Sequence, residues 1–254
     1  MNSFQPKILR FDSLPSTNTE AARQAQEGAA EGLCVVAREQ TAGRGRLQRR
    51  WLSPAGAGLY FSIVLRPRVD ASLWSLMPLL AALAVHEALV ESCAVETDIK
   101  WPNDILFGER KLCGILAETV DTESGRAVVT GIGINLSVAA LPPELQEVAT
   151  SVEVITGIAP DAEAVLQALL RVLARRYETF QTDAGSGEII CEWSARSSYS
   201  YGKRVRVGNG TETCEGVTRG LEPDGALRVE TDLGEIKVVR AGDVTTVRPS
   251  AAPV

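Results

Sequence analysis

Histidine is almost absent from this 254-residue chain: His86 is the only one. A Ser–His–Asp or Cys–His device cannot be assembled without it, and there is no histidine cluster to hold a transition metal. His86 falls on the helical stripe Leu79, Leu83, Val90, where a satisfied core or boundary histidine is the expected role. Cysteine is sparse as well. Cys34, Cys93, Cys113, Cys191 and Cys214 are odd in number and form no CxxC, which argues against a disulfide framework or a zinc site. No GxxxxGK[ST] occurs, so a P-loop is excluded. GIGIN at 131–135 has the wrong spacing for a dinucleotide fingerprint and closes a strand instead of opening a helix. The N-terminal MNSFQPKILRFDSLPS lacks the apolar run of a signal peptide. The longest apolar stretch, at 76–90, is interrupted by Pro78 and His86 and reads as too short and too polar for a membrane span. The expectation is a cytoplasmic protein with reduced thiols.

Excess positive charge is missing too. The formal net charge is -6. A nucleic-acid binder carries a basic field over a whole face, so neither DNA nor a membrane surface is an expected partner. Against that background stands GRGRLQRRW at 43–51, with four arginines and two glycines closed by a tryptophan. Such local charge suits a compact anion better than a long polyanion.

With 45% hydrophobic residues the chain can form a substantial core. A helix is expected from about Thr17 to Gly28, with Thr17 as N-cap and Glu20 as its capping-box partner. LCVVARE and GLYFSIVLRP read as buried strands flanking the basic loop. Residues 72–92 read as a helix apolar on more than one side. IKWPNDILF and KLCGILAETV form a hairpin around GERK, and AVVTGIGINL follows as another strand. A second long helix over 161–180 carries Leu166, Leu170, Leu173, Tyr177 and Phe180 at helical spacing, and a short helical piece follows at about 188–199. From Lys203 onward short strands alternate with turns such as NGTE (209–212) and PDG (223–225), the texture of a small β-barrel. The expected fold class is α+β: a mixed, mostly antiparallel sheet packed with helices, then a small SH3-like barrel. The expected division is 1–200 and 201–254.

Arg44, Arg46, Arg49 and Arg50 offer guanidinium forks matched to carboxylate and phosphate oxygens. Gly43 and Gly45 let the backbone bring its N–H groups to a ligand, and Trp51 offers a flat face to a base. A solvated surface loop is the competing reading. The chain has five lysines against twenty-one arginines, so Lys100 and Lys111 look chosen as compact point charges. Trp101-Pro102 is stiff and presents Asn103 and Asp104, a pair suited to Mg²⁺ or a ribose, or simply a turn. Gly114, Gly131 and Gly133 interrupt strong strands, which marks close approach of a ligand or of another backbone, with tight strand packing as the competing reading.

Taken together, STN at 16–18, EQTAGRGRLQRRW at 39–51, KWPNDIL at 100–106, KLCGILAE at 111–118 and GIGINL at 131–136 resemble the biotin protein ligase family. GVTRGLEPDGAL at 216–227 resembles that family's C-terminal barrel, so the likeness runs from about residue 8 to 248. It implies a two-step acyl transfer in which biotin and MgATP give biotinyl-5′-AMP, which then acylates a lysine of a biotin carboxyl carrier domain. Carried over by position, Ser16, Thr17, Asn18 and Gln40 would bind the ureido end of biotin, and Arg44 and Gly45 its carboxyl end. Gly114, Gly131 and Gly133 would let the strands approach it. Arg46 and Lys111 would be the catalytic charge stabilisers. Arg46, Trp51, Asn103, Asp104, Lys111 and Asn135 would serve the nucleotide, with no metal held by the protein itself. The cofactor expectation is ATP with its Mg²⁺, and the state monomer or homodimer. Many members read GRGRxGRxW, whereas Gln48 replaces the third glycine here. The ligase motifs begin at Ser16, which leaves no room for the N-terminal DNA-binding domain of repressor members. Three rivals remain: a lipoate or octanoate ligase, whose RRxxGGG-type segment is not found; a nucleic-acid-binding module; and a catalytically silent biotin sensor.

Overall fold

The computed structural model describes residues 6–140, 142–208 and 213–246. In chain order the elements are β1 (Lys7–Leu14), α1 (Thr17–Gln26), β2 (Leu33–Gln40), β3 (Gly58–Leu65), α2 (Met77–Cys93), β4 (Asp98–Lys100), β5 (Asp104–Phe107), β6 (Arg110–Thr122), β7 (Gly125–Asn135), α3 (Val152–Thr156), α4 (Ala162–Phe180) and α5 (Gly185–Arg196). A second set follows: β8 (Tyr201–Gly208), β9 (Thr213–Leu221), β10 (Leu227–Glu230), β11 (Ile236–Val239) and β12 (Asp243–Thr246). The expected turn at 209–212 lies outside the described residues.

The first seven strands form one sheet in the order β1-β2-β3-β7-β6-β5-β4. Only β1 and β2 run parallel; every other pair is antiparallel. The last five strands form a separate antiparallel sheet, β11-β10-β9-β8-β12. The fold is therefore α+β, a mixed sheet with helices followed by an antiparallel C-terminal unit.

Strand alternation decides which face of the large sheet carries the core and which carries the site. Phe61, Ile63 and Leu65 of β3, with Val128, Ile132 and Ile134 of β7, point to the face covered by α2 and α4. There they meet Leu79, Leu80 and Leu83 of α2 and Leu166, Leu169 and Leu173 of α4, all at most 3% exposed. The opposite face receives Val64, Ala127 and Val129, packed under Ala21 and Ala25 of α1. Further along that face the alternation brings Ser62, Gly131 and Leu116 into one cross-strand row, and Tyr60, Gly133 and Gly114 into the next. Small residues there leave a hollow beside α1.

Three sequence expectations change. The N-cap of α1 is Ser16, not Thr17: Ser16 is extended (φ -160, ψ 134) and its Oγ accepts from the Thr19 N–H at 3.5 Å. Glu20 therefore sits one place too late for a capping box and binds Arg23 and Gln24 instead. The helix expected over 72–92 opens as a 3₁₀ turn at Ala71–Leu76 before becoming α2. The whole 71–93 stretch is long and apolar enough to cross a bilayer, contrary to the sequence estimate. Its apolar side chains are spent inside the fold, Leu76, Met77, Leu80, Leu83 and Leu89 all being fully buried. Strand β1 and the short turns between 138 and 156 carry no clear periodic signal and were not expected.

Candidate active site

The hollow is a cavity of about 250 Å³. Ser16, Thr17, Asn18, Gln40, Arg44, Gly45, Arg46, Trp51, Asn103, Asp104, Lys111, Gly114, Gly131, Gly133 and Asn135 all line it. These fifteen come from five separate stretches of sequence, and the fold brings every one of them to a single place.

One end is neutral and polar. Gln40, at the end of β2, accepts through Oε1 from the Thr17 N–H at 2.8 Å and from the Thr17 hydroxyl at 3.1 Å. Its Nε2 donates to Ser53 Oγ at 2.8 Å. Asn18 donates to the Leu116 carbonyl at 3.1 Å and to Glu118 Oε2 at 2.9 Å. Its Oδ1 lies 2.7 Å from Ser62 Oγ, which is also 2.8 Å from Thr17 Oγ1. Ser62 is fully buried in an otherwise apolar strand. This network fixes the first turn of α1, whose N–H groups carry the positive end of the helix toward the cavity.

The glycines explain how close the walls approach. A Cβ on Gly131 would stand 2.0 Å from Asn18 Oδ1, and one on Gly133 would stand 2.5 Å from Trp51 Nε1. On Gly114 it would lie 3.0 Å from the Trp51 ring and 3.2 Å from Lys111 Cε. What the strands admit here is the Asn18 amide and the Trp51 indole. The indole N–H is buried against Gly133 and finds no acceptor among the described residues.

The other end is cationic. Residues 43–51 form a small hairpin over the cavity, closed by Trp51 N–H to Gly43 O at 2.9 Å and Gly45 N–H to Arg49 O at 2.7 Å. At its tip Leu47 and Gln48 take φ of 53 and 59, the left-handed region that disfavours residues with a Cβ. Gln48 thus occupies a conformation natural to glycine. Four of the cations here nevertheless have a carboxylate beside them. Arg44 donates to Glu118 Oε2 at 2.6 Å. Lys111 Nζ lies 2.6 Å from Asp104 Oδ1 and 5.4 Å from the Trp51 ring centre. Arg49 pairs with Asp243, and Arg46 lies 3.9 Å from the same carboxylate. Burial pulls the Arg46 pKa below the ordinary arginine value, opposed by the charges of Asp243 and Asp104. Lys100 is likewise lowered by burial, with Asp104 opposing.

Two expected nucleotide ligands are structurally committed. Asn103 donates to the Ile115 carbonyl at 2.6 Å and accepts from Arg46 at 3.2 Å. Asn135 donates to the Thr150 carbonyl at 3.0 Å. Asp104 is the freer oxygen donor of the 103–104 pair. Sequence reasoning missed Ser62, Ser53, Glu118 and Asp243, and did not give Ala140, Leu145, Val148 and Ala149 a place in the wall. The lone serine of GLYFSIVL was a usable signal for Ser62. Asp243 had none, since only the fold brings it to the loop. His86 lies outside the cavity, 8% exposed, with Nδ1 2.9 Å from Thr97 Oγ1.

A polar slot continuous with a basic, loop-covered end defines a site built to join two anionic molecules. Known proteins narrow the class. Residues 10–135 match the Biotin/lipoate A/B protein ligase family and residues 201–245 the Biotin protein ligase C terminal domain. The chain is 38% identical over 237 residues to a biotin–[acetyl-CoA-carboxylase] ligase of Paracoccus denitrificans, covering 90% of this chain and 96% of that protein. It is also 38% identical over 244 residues to the bifunctional ligase/repressor BirA of Bacillus subtilis, covering 93% of this chain and 73% of the relative. Among solved structures, the biotin protein ligase from Aquifex aeolicus in complex with biotin and ATP superposes with a TM-score of 0.82 at 31% identity, over 96% of this chain and 99% of that one. The chain belongs to the biotin protein ligase family.

Proposed function

We propose that this chain attaches biotin to a specific lysine of a biotin carboxyl carrier domain, with MgATP as co-substrate and biotinyl-5′-AMP as intermediate. The observation that carries the reading is the convergence of fifteen motif residues on one cavity with a neutral end and a cationic end.

In the first step a biotin carboxylate oxygen attacks the α-phosphorus of ATP. The new O–P bond forms as the bond to the bridging oxygen breaks, and pyrophosphate leaves with that electron pair. The two reactants repel each other, so the main task is to concentrate positive charge where they meet. Lys111 is suited to the carboxylate and α-phosphate, and Arg46 to the phosphate of the adenylate. Arg44 and Gly45 suit the carboxyl end of biotin, where the Gly45 N–H would exchange its bond to the Arg49 carbonyl for the ligand. No side-chain nucleophile is needed, because the substrate brings its own, and the peripheral His86 agrees with that. Ser16, Thr17, Asn18 and Gln40 provide the donors and acceptors for a ureido ring. The Trp51 indole face suits the adenine side together with Asn135, while Asp104 is the residue fitted to the Mg²⁺ of the nucleotide.

In the second step the acceptor ε-amine attacks the acyl carbon of the mixed anhydride, forming the amide and expelling AMP. The intermediate must be kept from water meanwhile, and the 43–51 hairpin is placed to cover it. We divide the chain at residue 200: 1–200 carries the adenylation site and 201–254 the smaller unit, a split supported by the two sheets. The acceptor is a carrier domain of a biotin-dependent carboxylase, in the cytoplasm. The test is ATP-dependent transfer of labelled biotin to a purified carrier domain. Lipoate transfer without biotin transfer would move the chain to the rival ligase class.

A further inference from the structure

Three carboxylates from different parts of the fold hold basic groups of the site. Glu118 of β6 holds Arg44, and Asp104 of β5 holds Lys111. The third carboxylate, Asp243, belongs to β12 of the C-terminal sheet, yet it lines the cavity and pairs with Arg49 and, at 3.9 Å, with Arg46. The Gly242 carbonyl next to it accepts from Arg46 at 3.3 Å. Asp243 and Arg46 are about three-quarters shielded, with 27% and 23% of their side-chain surface exposed. A shielded guanidinium needs a counter-charge. The lid also carries two residues with a Cβ at positive φ, Leu47 and Gln48, so its resting shape depends on contacts at its base.

We propose that Asp243 is a positioning residue acting as a built-in substitute for the nucleotide's phosphates: it pins the lid through Arg49 and Arg46 while the site is empty and must yield both to the triphosphate. This rests on the ligase reading above and gives the C-terminal sheet a task within it. A triphosphate brings several negative charges to the same two arginines, and a carboxylate left among them repels it. The resting contact therefore orders the lid and at the same time competes with ATP.

The test uses the full chain with Asp243→Asn, read in two ways. Apparent KM for ATP in biotin-dependent ATP–pyrophosphate exchange is expected to fall about three- to fivefold, the scale of one partly exposed ion pair, while KM for biotin stays the same. In the ligand-free protein, tryptic cleavage at Arg44, Arg46, Arg49 or Arg50 is expected to speed up several-fold. Asp243→Glu, which keeps the charge, is expected to return both readouts toward the parent. Asp243→Ser serves as the second variant should the asparagine form fail to fold. A higher KM for ATP would overturn the proposal, because Asp243 would then be helping the nucleotide bind. Unchanged KM with unchanged cleavage would overturn it too, reducing the contact to a surface ion pair. Absence of biotin-dependent exchange in the parent protein would sink the ligase reading instead, and the cleavage rates of the ligand-free variants would still judge the latch.

Discussion

At the scale of single residues the site depends on charge placement and on missing side-chain atoms. Lys111 is the lysine that lines the cavity, and its Nζ lies 2.6 Å from Asp104 Oδ1. Replacing it with alanine is expected to lower biotin-dependent ATP–pyrophosphate exchange by about a hundredfold or more, the cost of removing a principal charge stabiliser. Near-parental exchange would remove Lys111 from that role. Gly131→Ala tests the opposite kind of requirement. Its new methyl would fall 2.0 Å from Asn18 Oδ1, and overpacking of this sort costs about 1–3 kcal/mol. A lower urea midpoint should accompany weaker biotin binding by calorimetry, since Asn18 must leave the Ser62–Leu116–Glu118 network. Retained affinity at reduced stability would show that Asn18 does not shape the biotin end.

Among elements, the hairpin at 43–51 has the most specific expectation. Arg46 ties it to Asn103 at 3.2 Å and to the C-terminal sheet, so Arg46→Gly should loosen the cover over the adenylate. The expected outcome is escape of biotinyl-5′-AMP and labelling of bystander proteins that carry no acceptor motif. Transfer that stays confined to the carrier domain would exclude Arg46 from the lid. This element also shows what the sequence tells and what it hides. The basic loop, the glycines on β6 and β7 and the strand–helix order were readable, because charge clusters and period-two patterns are local. The cap of α1 was misplaced by one residue, since both Ser16 and Thr17 are good caps and only the backbone decides between them. Strand β1 was missed because its exposed edge position breaks the apolar alternation. Ser53, Glu118 and Asp243 joined the site through long-range packing, which no local pattern encodes.

For the molecule as a whole, pH separates the scaffold from the site. His86 lies on α2 with its ring against the Thr97 hydroxyl, and burial lowers its pKa, with Glu96 opposing and Arg196 adding to the lowering. Its folded pKa lies below its unfolded one, so the unfolded chain binds the proton first as pH falls. Stability should be complete above about pH 6.5 and decline below it. Thermal melting between pH 7.5 and 5 should show that decline, and His86→Gln should flatten it; an equally steep decline in the variant would assign the acid sensitivity elsewhere. The same histidine should leave transfer at pH 7.5 largely untouched, as expected for a group outside the cavity.

The most direct measurement is a single-turnover reaction with labelled biotin, MgATP and a purified carrier domain, following pyrophosphate release and label on the acceptor lysine. The account predicts one pyrophosphate released and one biotin transferred per active site, both lost without ATP and both sharply slowed in Lys111→Ala. Biotin and ATP bound with neither product formed, or transfer that does not require ATP, would contradict it.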